Sequence, residues 1–90
     1  MEEKFLQAVE AARVQAEKLG VRIRPVADMN AAHRILSGHR ESDGFGALAD
    51  LGRLDLSLEA LAVKKQFTSL FSDEEANNAL MRLLDAGYRF

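Results

Sequence analysis

Cysteine is absent from this chain. That excludes disulfides, iron–sulfur clusters and thiolate zinc sites. A single proline and no low-complexity run leave little room for a disordered linker. No apolar run approaches the roughly 18 residues of a membrane span, and the opening Met-Glu-Glu-Lys lacks the basic and apolar regions of a secretory signal. We therefore expect a cytoplasmic protein with no membrane contact. An excess of positive charge is missing too. Net charge is −2, and residues 54–90 hold six acidic against four basic side chains. Nucleic acid as a partner is disfavoured on that ground.

What remains is a small globular composition, 48% hydrophobic and 29% charged over 90 residues. It suits one domain with a thin stability margin of about 5–10 kcal/mol. Every periodic segment repeats at three or four residues. In residues 2–19, Phe5, Val9, Ala12, Ala16 and Leu19 form an apolar stripe. Glu2 and Glu3 at its start and Gly20 after its end agree with dipole and cap rules. The stripe is too short for a coiled coil and reads as packing within its own domain.

Residues 21–24 alternate apolar and basic, but no second strand is available, so they form an extended connector. Pro25 is placed to open a second helix over 25–36 that carries Val26, Met29, His33 and Leu36 on one face. Ser42 or Asp43 is expected to cap a third over 44–51, with Phe45, Leu48 and Leu51 inward. Ser57 caps a fourth, with Leu56 and Leu61 spaced as a hydrophobic staple. Ser72 and Glu75 form the capping box of a fifth, whose apolar face is Ala76, Ala79, Leu80, Leu83 and Leu84. The fold class that follows is all-α, a single-domain orthogonal bundle of about five short helices.

No catalytic signature emerges, and we expect a non-enzymatic protein without metal or cofactor. His33 and His39 are six apart and each precedes an arginine, a spacing that matches no established ligand pattern. A polar recognition site is expected in the loop holding His39, Arg40, Glu41 and Asp43, because loops carry function more often than helix backs.

The last third is rich in large apolar side chains. Leu54, Leu56, Phe67, Leu70, Phe71, Tyr88 and Phe90 form either a core plug or a surface for a partner, another protein or a second copy. That surface makes a protein-interaction or regulatory module the leading expectation. A helix-turn-helix can also be drawn over 44–65. Its second helix would present Ser57, Glu59, Ala60, Lys64 and Lys65 to DNA, a set poor in base-reading side chains.

Finally, Asp50-Leu51-Gly52, Asp55-Leu56-Ser57-Leu58, Phe67 and Asp73-Glu74-Glu75-Ala76 together resemble an acyl carrier protein over 45–76. The resemblance implies a phosphopantetheine arm on Ser57. The chain departs from that pattern at Leu56, where the family has an acid, and at Lys64 and Lys65. Read without the resemblance, Ser57 is a helix cap that aspartate should replace without loss.

Overall fold

The computed structural model describes residues 1–88. Five α-helices follow one another: α1 Glu2–Lys18, α2 Met29–Ser37, α3 Phe45–Asp50, α4 Leu58–Ala62 and α5 Asp73–Asp85. Single 3₁₀ turns at Leu54–Leu56 and Thr68–Leu70 lead into α4 and α5, and no strand occurs among the described residues. The all-α class expected from the periodicity is the fold.

Side-chain caps set three of the five helix starts. Ser57 accepts a hydrogen bond from the Ala60 amide at 3.1 Å and so starts α4. Ser72 and Glu75 make both bonds of the capping box at the head of α5. The second helix begins four residues later than Pro25 suggests. The Asp28 carboxylate caps it by accepting from the Ala31 amide at 2.9 Å. Upstream, the Arg24 amide donates to Asp43 at 2.8 Å, which pins the chain before Pro25 against a distant loop. An aspartate cap is available at residue 28 and none at Arg24, so the helix starts where its first amides can be satisfied.

Neither Ser42 nor Asp43 caps α3. That place falls to Gly44, which adopts a left-handed φ of 78°. A Cβ there would stand 2.8 Å from the Ile23 side chain, so the missing side chain also lets the connector lie close.

Two adjoining clusters make up the core. One gathers Phe5, Val9 and Ala12 of α1 with Met29, Ala32 and Leu36 of α2, Leu58, Leu61 and Ala62 of α4, and Phe67 and Phe71. The Phe5 ring meets Phe67 and Phe71 edge-on, at centroid separations of 5.2 and 5.0 Å, a geometry that contributes about 0.5–1.5 kcal/mol per pair beyond burial. The other cluster holds Ala16, Val21, Phe45, Leu48, Leu54, Ala60 and Leu83. The α1 stripe thus packs within its own domain as far as Ala16, while Leu19 is exposed. Leu51 and Leu84, expected inward, are also exposed, and Leu80 is half-buried.

Candidate functional site

The apolar side chains proposed for a partner surface divide. Leu54, Phe67 and Phe71 are buried in the core, where Phe5 needs aromatic neighbours, and they offer no outer surface. Leu56, Leu70 and Tyr88 are half-buried. Phe90 lies outside the described residues.

A different surface emerges from the polar loop. His39, Arg40, Glu41 and Asp43 all line one cleft of about 640 Å³. Its walls are the connector Ile23-Arg24-Pro25-Val26, the outer side of α2 at Ala31, Arg34 and Ile35, and Val9 and Arg13 of α1. Leu56 and Leu58 complete the lining. The extended connector makes one wall because Asp28 delays α2 and the Arg24–Asp43 bond holds the connector against the loop.

The opposite wall, the 38–43 loop, is fixed from below by Glu59. That side chain is fully buried, at 0% exposure. Its carboxylate accepts from the Ser42 amide at 2.8 Å and from the Ser42 hydroxyl at 2.5 Å. The Arg82 guanidinium pairs with the same carboxylate at 3.3 Å. Arg82 also donates to the carbonyls of Ile35 at 3.2 Å and Gly38 at 2.6 Å, and Asn78 donates to that of Leu36 at 3.0 Å. Orphan carbonyls at the end of α2 are thereby satisfied by α5. No buried side-chain nitrogen or oxygen among the described residues lacks a hydrogen-bond partner.

The charges on the cleft rim are less committed. Arg13 is held by Glu10 and Glu17, whereas Arg24, Arg34 and Arg40 make no ion pair among the described residues. All three are exposed. Glu41 and Asp43 stand on the same rim, so the balance is positive by one charge, three arginines against two carboxylates.

His33 is not part of the cleft. Its Nδ1 lies 2.8 Å from Glu75 and its ring packs edge-on against Phe71. Burial alone would raise the Glu75 pKa. The Ser72 amide and His33 outweigh that and leave it below the ordinary carboxylate value. The described residues hold no cluster of three or more His, Asp or Glu arranged for a metal ion.

Two alternative readings of Ser57 meet the same obstacle. The residue is 1% exposed, and its hydroxyl donates to the Leu54 carbonyl at 2.6 Å while accepting from Ala60. An attachment serine must stand where a transferase can reach it, and this one does not. The second helix of the would-be helix-turn-helix is α4, only five residues long and buried at every one of them. It has no free face to enter a DNA groove.

Sequence reasoning missed Arg82 and set Glu59 outward, on the helix drawn toward DNA, where the structure buries it. A signal was present, because a five-residue helix apolar on all other sides buries whatever residue it contains. No protein family, curated protein or solved structure matches this chain.

Proposed function

We propose that this protein is a non-enzymatic interaction module that binds a segment of another polypeptide chain in the cleft between the 23–26 connector, α2 and the 38–43 loop. The observation that carries the reading is the pairing of an apolar floor with three rim arginines that make no ion pair among the described residues. Small-molecule sites place a few polar groups inside the pocket to orient the ligand. Here the buried polar atoms are already satisfied internally, and the uncommitted charges stand outside. That distribution suits one face of an amphipathic segment, apolar side chains inward and charges at the edge. The buried titratable groups Glu59 and Glu75 support a non-enzymatic role, since each is engaged in structural hydrogen bonds.

The test is photocrosslinking in the producing cell, with the reactive side chain placed at Arg34 on the rim or at exposed Gln7 on α1, away from the cleft. Discrete protein adducts from position 34 and none from position 7 are expected. No adduct at 34, or the same adducts from both positions, would contradict the reading.

A further inference from the structure

The largest exposed apolar side chains include two on one helix, Met81 at 58% and Leu84 at 52%. They do not stand alone. Glu74, Asn77, Met81 and Leu84 step along α5 by three, four and three residues, with Asp85 beside them, and all five are exposed. At 3.6 residues per turn they share one face about a third of the helix wide. Glu74 and Asp85 make no ion pair among the described residues. The outer side of α5 is therefore an exposed helix face on which Met81 and Leu84 lie beside the carboxylates of Glu74 and Asp85. The cleft described above has an apolar floor under a rim that is positive by one charge, with Arg24, Arg34 and Arg40 against Glu41 and Asp43.

We propose that the cleft receives α5 of a second copy of this chain, with Met81 and Leu84 on its floor and Glu74 and Asp85 against its arginines. The proposal rests on reading the cleft as a protein-binding site and names its occupant. The two surfaces are also neighbours. Gly38 and His39 line the cleft and, on their other side, a depression bordered by Glu74, Met81 and Asp85. Donor and acceptor surfaces that flank one loop form a single self-complementary patch, and in a two-fold dimer each copy offers both to the other. Helix-in-groove docking of this kind is read as apolar anchors at three- and four-residue steps. Rim charges set orientation and partner choice more than affinity.

The experiment is sedimentation equilibrium of the full chain over a wide concentration range, on the wild type and three charge variants. Arg34→Glu with Arg40→Glu reverses the rim, Glu74→Arg with Asp85→Arg reverses the helix face, and a fourfold variant carries both. All four positions are exposed, and melting followed by circular dichroism confirms that each variant is folded. The wild type should self-associate. Each double variant should weaken association by about tenfold, since two exposed pairs become repulsive. The fourfold variant should recover most of it, because the charges again match. A wild type that stays monomeric up to about millimolar concentration, or a fourfold variant as weak as the two doubles, would overturn the proposal. Should the purified chain be monomeric while Arg34 still crosslinks a different protein, the second copy is rejected and the cleft reading stands. Should position 34 give no adduct at all, the cleft reading fails as well.

Discussion

The Glu59 carboxylate on α4 and the Arg82 guanidinium on α5 form a buried ion pair that also carries the loop facing the cleft. Removing one partner leaves the other charged and enclosed. Glu59→Ala strands Arg82 and the Ser42 amide together, and we expect a loss of about 3–5 kcal/mol, a large part of the total margin. Glu59→Leu combined with Arg82→Met should cost clearly less than the sum of the two single changes, with a coupling of at least about 1 kcal/mol. Urea denaturation of the four proteins measures this, and strict additivity would show that the pair is not coupled.

Glu75 gives the stability a definite pH dependence. Its folded-state pKa lies below the ordinary 4.5 because the Ser72 amide and His33 outweigh the opposing effect of burial. A carboxylate with a depressed pKa stabilises the protein above its unfolded value, and that stabilisation is lost as pH falls through the folded value. Glu75→Gln keeps the capping-box acceptor but not the charge. Below about pH 4.5 the wild type should therefore lose stability more steeply than the variant. Parallel thermal melts from pH 7 to pH 2.5 provide the comparison, and curves of equal slope would remove Glu75 from the acid limb.

Ser57 distinguishes a surface cap from a buried one. Taken from the sequence, aspartate should substitute freely. In the structure the hydroxyl also donates to the Leu54 carbonyl, a bond an ionised aspartate cannot make, in a site closed to water. Ser57→Ala should cost about 1–2 kcal/mol and Ser57→Asp more than that. Denaturant midpoints for both variants decide the order. An aspartate variant as stable as the wild type would mean that the site opens to solvent, which would return Ser57 to the candidates for modification.

The aromatic cluster is the fourth dependency. Phe71→Ala removes an edge-on partner of both Phe5 and His33, and we expect a loss of about 3–5 kcal/mol. A melting temperature within a degree or two of the wild type would show that Phe71 contributes to a surface instead.

How much of this was legible in the sequence follows from the range of each interaction. Helices α1 and α5 are announced by local periodicity and caps, and Ser72 with Glu75 behaves as its spacing implies. Pro25 is a local signal that sets the start of α2 too early, whereas the Arg24 amide is held by Asp43, nineteen residues on. Leu84 reads as core from its step along α5, yet it stands about 100° around the helix from Leu83 and about 140° from Ala79, and it is exposed while those two are buried. The polar stretch of His39, Arg40, Glu41 and Asp43 is legible as a loop, and these side chains line one cleft. That Leu56 and the outer side of α2 meet it across a cleft depends on tertiary packing, which no window of sequence contains.

The most direct measurement is an amide chemical-shift map of isotopically labelled wild type, recorded alone and with its partner: a second copy at high concentration, or the protein recovered by crosslinking at Arg34. The expected result is a contiguous set of shifts at Val26, Ala31, Arg34, Ile35 and Arg40, with Gln7 and Gln15 on α1 unmoved. Shifts that gather on α1 instead, with the cleft residues silent, would contradict the assignment of the cleft as the binding site.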